Sequence, residues 1–164
     1  MSDEAKKVKQ VVIDEIKGKL NNAQSAVVID YMGITVEQAD AMRKKLREEN
    51  VDYTVYKNSL VKRAIVGTDF EKLKDVLDGP SAIAISTEDA TAPARILNDM
   101  IKLYKKMEFK AGVVEGQFFD HEGIKQIANI PSRDILIAKF MGSVQSPLSK
   151  TIRTFQAIAD AKEN

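Results

Sequence analysis

The chain has 164 residues, 44% of them hydrophobic and 30% charged, and its 25 Lys and Arg nearly balance 24 Asp and Glu, for a net charge of +1. That length holds one complete core plus an appendage, and the balance excludes a protein that coats nucleic acid indiscriminately, so any contact with RNA or DNA has to be local. Cysteine is absent, which removes disulfides and thiol chemistry; no apolar run approaches the roughly 20 residues that cross a bilayer, and a reducing cytoplasm is the default compartment.

The N-terminal run MSDEAKKVKQVVIDEIKGKL interleaves charges with hydrophobic residues, so it lacks the apolar centre of a secretory signal. It predicts a helix from about Glu4 to Leu20, with Val8, Val11, Val12, Ile16 and Leu20 on one stripe. Ser25 to Tyr31 is a β-branched run of strand length, ended by Met32 and Gly33. Thr35 and Gln38 have capping-box spacing, and Val36, Ala39, Met42 and Leu46 supply the apolar face of a helix ending near Asn50. Val51, Tyr53 and Val55 then alternate with Asp52, Thr54 and Tyr56 as in a half-buried strand. The period turns helical at Leu60, Val61, Ala64 and Ile65, with Asn58 and Ser59 in capping position at the switch.

Phe70 to Leu77 is weakly helical, Gly79 and Pro80 make a turn, Ser81 to Ser86 is a short buried strand, and Ala92 to Tyr104 is helical. Phe109 to Phe119 alternates as a strand or hairpin, with Gly112 and Gly116 as points of bulge or close approach. The order predicts an α/β (α+β) layer with about four strands, occupying residues 1–130.

His121 to Ile130 forms a small helix, and Pro131 and Ser132 restart the chain into the C-terminal helices, residues 131–164. Ile135 to Met141 is apolar at nearly every position, which predicts burial on several sides or a place against the domain before Gly142 and Ser143 end that helix. A last helix runs from Pro147 to Lys162, with Ser146 as cap. Leu148, Ile152, Phe155, Ile158 and Ala159 fall in one narrow stripe of it. Because a lone helix of this length is marginal in water, that stripe requires a cover, either the parent domain or another protein.

Catalysis has little to work with. His121 is the one histidine, beside Asp120 and Glu122 at a helix start; no carboxylate cluster has ligand spacing, and neither GxGxxG nor GxxxxGK[ST] occurs. No catalytic residue, metal or cofactor is predicted; the alternative enzyme reading rests on Ser59 with Lys57. Binding is better supplied. Three basic clusters lie in the first 63 residues: Lys6, Lys7 and Lys9; Arg43, Lys44, Lys45 and Arg47; and Lys57, Lys62 and Arg63. Tyr53 to Thr68 contains no acid, and Lys57 precedes a helix start whose unpaired N–H groups favour anions. Arg43 and Arg47, four residues apart, suit bidentate phosphate contacts, against the competing choice of pairing with Glu37, Asp40 or Glu48. Lys102, Lys105, Lys106 and Lys110 read as a helix end and the start of a strand, and Tyr31, Tyr53 and Tyr56 read as core rather than base-stacking residues.

Five segments in order carry a resemblance: Asp30 to Val36 (DYMGITV), Arg43 to Arg47 (RKKLR), Val55 to Leu60 (VYKNSL) with Arg63 and Ala64, Gly79 to Ala82 (GPSA) and Ile130 to Arg133 (IPSR). Together they make the whole chain resemble the bacterial ribosomal stalk-base family, the large-subunit protein numbered ten. The resemblance implies a ferredoxin-like variant bound to the GTPase-associated region of large-subunit ribosomal RNA, beside the neighbouring ribosomal protein numbered eleven. It implies RNA contacts from Lys6, Lys7, Lys9, Arg43, Arg47, Lys57, Asn58, Lys62 and Arg63. It further implies that the C-terminal helix, through Leu148, Ile152, Phe155, Ile158 and Ala159, carries dimers of the acidic stalk protein that recruit translational GTPases; the short strip of this chain looks more like room for two such dimers than three. Binding of its own messenger RNA also belongs to the family. A same-fold ribosome assembly factor that carries no stalk is the nearer alternative. Met32 stands where the family commonly has a cation.

Overall fold

The computed structural model describes the backbone of residues 3–163, and their side chains except at 3–6, 8, 147–149, 151, 152 and 155–163. The chain divides into two units, Met1–Ile130 and Pro131–Asn164. In the first, α1 (Asp3–Asn21) leads into β1 (Ser25–Asp30), α2 (Val36–Glu48), β2 (Val51–Thr54), α3 (Asn58–Ala64), a 3-10 turn (Glu71–Asp75), β3 (Ala82–Ser86), α4 (Ala92–Tyr104), β4 (Glu108–Val114), β5 (Gln117–Asp120) and α5 (His121–Ile127). The strands form one antiparallel sheet in the order β2-β3-β1-β4-β5. β3 splits the β1-α2-β2 unit and β1 splits β3-α4-β4, the interleaving of a ferredoxin-like layer. The sheet has five strands where the sequence predicts about four. Glu115 and Gly116, at φ of 50° and 77°, make a two-residue turn that folds the predicted 109–119 segment into a hairpin and adds β5 at the β4 edge.

Period two along the strands feeds two cores. Val27, Ile29, Ala82 and Ala84 face Met42, Leu46, Leu97, Met100 and Ile124 of α2, α4 and α5. Ala26, Val28, Ile83 and Ile85 face Ile13, Ile16 and Leu20 of α1 and Val61, Ala64, Phe70, Leu73 and Leu77 of the α3 segment. Being covered on both sides, β1 reads as an unbroken apolar run. One irregularity interrupts the ladder. Val28 pairs with Ala111 and Ile29 with Phe109, so Lys110 is the extra residue of a β-bulge.

The capping box of α2 forms as predicted, with Gln38 N–H donating to Thr35 Oγ1 and Thr35 N–H donating to Gln38 Oε1. Val36 does not join the apolar face: at the first helical position it is 79% exposed, while Met42 and Leu46 are buried. At α3 the cap is Lys57 with no side-chain bond, so Asn58 and Ser59 are inside the helix rather than capping it. In the second unit a single helix, α6 (Arg133–Glu163), replaces the two predicted, running unbroken through Gly142 and Pro147. Proline costs a helix one backbone bond and glycine lowers propensity, but neither stops one outright. Ile135, Leu136, Ile137, Phe140, Met141 and Val144 are all exposed, against the expectation of burial.

Candidate nucleic-acid interface

Ile29 pairs with Ala82, Thr54 with Ile83 and Asp30 with Glu108, so β1 and β2 leave the sheet at the end where β3 and β4 begin. Three of the sequence segments singled out above therefore meet at one end of the sheet: Tyr31 to Thr35, Val55 to Leu60, and Gly79 to Ser81. α1 points there as well. Lys19 Nζ lies 2.7 Å from Asp52 and Tyr56 Oη donates to Glu15 at 3.4 Å. Moving back along α1 thus tracks forward along β2, which carries Lys7 and Lys9 towards the same end. Lys7 is exposed and Lys9 half-buried, whereas the Lys6 side chain lies outside the described residues.

The cations do not stand alike. Lys57 and Arg63 are exposed and form no salt bridge among the described residues. Lys62 Nζ sits 2.9 Å from Asp78 Oδ1, and this partner, with help from Lys110, holds the Asp78 carboxyl below its usual range. Asn58, predicted as an RNA contact, donates its side-chain amide to the Gly79 carbonyl at 2.7 Å. This bond to a turn 21 residues away uses one of its two amide N–H groups.

Arg43 and Arg47 lie together along the β2 edge strand. They line one hollow of about 420 Å³ with Asn50, Val51, Asp52, Tyr53 and Thr54. Arg43 also reaches Asp40 at 3.3 Å, one of the local partners weighed above, but at an exposed site where such pairing is weak. Tyr53 packs on the α2 side, and burial pushes its phenol up to about 12 although the Arg43 guanidinium pulls the other way. Tyr31 packs on that core too, and Tyr56 on the opposite one, where its hydroxyl accepts from Lys19. All three tyrosines are committed to packing. The Lys19 ammonium, held first by Asp52 and then by Glu15 and Tyr56, titrates well above an ordinary lysine.

Lys110 has no local signal in sequence. The bulge turns its ammonium to the Asp78 and Pro80 carbonyls, each at 2.6 Å, and to Ser81 Oγ at 3.1 Å. Lys106, read as a helix-end cation, lays its stem 3.6 Å from where a Cβ on Gly33 would stand, at the same end of the sheet. Elsewhere His121 bonds the Phe109 carbonyl through Nδ1 at 2.7 Å and Lys125 through Nε2 at 2.7 Å. Among the described residues, no group of three or more metal-ligating side chains occurs and no helix is long and apolar enough to cross a membrane. Leu148, Ile152, Phe155, Ile158 and Ala159 have side chains outside the described residues.

Residues 4–102 match the family model described as Ribosomal protein L10, and residues 130–164 match the model described as Ribosomal protein uL10 C-terminal region. The chain is 45% identical over 159 residues to the large ribosomal subunit protein uL10 of Clostridium tetani, covering 97% of this chain and 92% of that one. It is 46% identical to the same protein of Clostridioides difficile, covering 95% and 94%, and 41% identical to that of Bacillus licheniformis, covering 94% and 93%.

Proposed function

From the premise that the chain belongs to the ribosomal protein L10 family of the large subunit, we propose that it is a non-catalytic anchor in the cytoplasmic ribosome. Its first unit grips large-subunit ribosomal RNA at the GTPase-associated region, beside the ribosomal protein numbered eleven, and its second carries dimers of the acidic stalk protein. The stalk in turn recruits translational GTPases. The relatives bear the name of a ribosomal protein and not of an enzyme.

The observation that carries the RNA reading is the meeting, at one end of the sheet, of three motif-bearing connections with the exposed Lys57, while the exposed Arg63 follows along α3 and Arg43 and Arg47 extend the positive charge along the adjoining edge strand. Lys6, Lys7, Lys9 and Lys62 complete the cationic set. Such cations hold phosphates, and the shape of the folded RNA supplies the specificity. Asn58 fixes the loop through one amide N–H and offers its other N–H and Oδ1 to RNA. For the second unit, support comes from the family model over 130–164 and from the exposed apolar side chains of α6. The docking strip is Leu148, Ile152, Phe155, Ile158 and Ala159, and autogenous binding of the messenger RNA uses the surface that binds ribosomal RNA.

The test is binding of the full chain to a ribosomal RNA fragment carrying that region. Reversing charge at Lys57 and Arg63 should abolish binding while leaving co-purification of the stalk dimers intact, and unchanged RNA affinity refutes the assignment.

A further inference from the structure

We propose that Lys110 is a positioning residue for the nucleic-acid surface, acting through the turn at Asp78 to Ser81 without touching the RNA; this rests on the RNA reading above. The bulge between Val28 and Ile29 places Lys110 out of register in β4, and its side chain, 17% exposed, turns to the neighbouring loop. An ammonium has three protons to donate, and here three acceptors stand within bonding distance: the Asp78 and Pro80 carbonyls at 2.6 Å and Ser81 Oγ at 3.1 Å. Asp30 Oδ2, at 3.9 Å, supplies the nearest anionic charge. Nothing remains on the nitrogen for a phosphate.

The turn so fastened is what α3 hangs from. Gly79, at φ 67°, presents its carbonyl to the Asn58 amide, and the Asp78 carboxylate holds Lys62. α3 has seven residues and no side-chain cap, too short to hold itself, so its direction is set by its buried residues Val61 and Ala64 and by the Asn58 bond to the turn. Lys57 precedes α3 and Lys62 and Arg63 ride on it. A cation of β4 thereby fixes where three surface cations stand.

The test measures dissociation constants of the full chain for the ribosomal RNA fragment across a range of salt, corrected for the folded fraction. Lys110→Met should weaken binding roughly tenfold, the scale of one lost charge-assisted bond, and leave the slope of log K against log salt unchanged. Lys57→Met should instead flatten that slope by roughly 0.7–0.9, as loss of a phosphate contact does. Unchanged affinity in Lys110→Met overturns the proposal, and so does a slope flattened as in Lys57→Met, which would make Lys110 a direct contact. Where the methionine variant fails to fold, Lys110→Gln, which keeps donors, should bind with intermediate affinity and show faster amide exchange at Leu60 and Val61, whose bonds to the Lys57 carbonyl form the first turn of α3. Wild-type exchange there together with wild-type affinity overturns it. If the wild-type chain itself leaves the fragment unbound, the RNA reading falls and takes this proposal with it; binding by the wild type with no loss in the variants condemns the proposal alone.

Discussion

Asp78 holds the Lys62 ammonium at 2.9 Å while the backbone carbonyl of the same residue accepts from Lys110 at 2.6 Å. If Lys62 binds RNA as proposed, the Asp78 side chain competes with phosphate for it, while the Asp78 backbone belongs to the support beneath. The two roles separate on substitution. Asp78→Asn keeps the carbonyl but removes the competing charge, so RNA affinity should rise by about threefold at low salt and the gain should shrink as salt increases. Glu122→Gln makes the same change in net charge on α5 and should leave affinity where it was. A matching gain in both variants would assign the effect to overall charge.

The phenol of Tyr53 offers a pH signature for the β2 edge of the sheet. Burial raises its folded pKa from 10.0 to about 12, against the pull of Arg43, so the folded state keeps a proton that the unfolded state loses. Stability from this group is thus fully present below pH 10 and is lost as pH rises from 10 towards 12. In an absorbance titration, one of the four tyrosines should ionise near pH 12. Tyr53→Phe should remove that step and flatten the alkaline loss of stability, and Arg43→Met should move the step higher.

What sequence conveyed was local. The α2 capping box lies within four residues, and the buried strands β1 and β3 follow from unbroken apolar runs. Asn58 misled because the helix starts one residue earlier than a cap there requires: Lys57 takes the extended cap geometry, and the Asn58 amide N–H reaches Gly79, 21 residues on. Lys110 was invisible for a similar reason: where a bulge falls depends on the neighbouring strand, and the glycine offered as a bulge point, Gly112, stands two residues past the actual one. At α6, punctuation by Gly142, Ser143 and Pro147 looked like a break because each residue disfavours helix, yet the summed propensity of the flanking turns carries the helix across.

Gly112 was legible as a close-approach glycine, and the structure supplies the reason. A Cβ there would stand 2.7 Å from Ile124 Cδ1 and 3.1 Å from the Ala26 carbonyl, between α5 and β1. The isoleucine tip can rotate away, whereas the backbone oxygen cannot. Gly112→Ala should cost about 1–3 kcal/mol in urea unfolding, the range for overpacked cores. Ile124→Val deletes the nearest methyl, so the double variant should be more stable than the sum of the single losses predicts. Strict additivity would place the strain at the carbonyl instead.

Ser25 and Ser86 face each other across β1 and β3, both fully buried, and neither hydroxyl has a hydrogen-bond partner among the described residues. Period two puts both on the α2 and α4 face, beside Val27 and Ala84, where each oxygen gave up water without recompense. A buried hydroxyl with no partner costs about 1–3 kcal/mol, so its removal lifts a penalty and leaves only a small void. The variant with Ser25→Ala and Ser86→Ala should be at least as stable as the wild type, with a urea midpoint equal or higher and an unchanged slope. Single variants should fall between the two. A loss above about 1 kcal/mol in either single variant, recovered in the double, would reveal a hydroxyl pair bonded to each other, because removing one member then strands its partner.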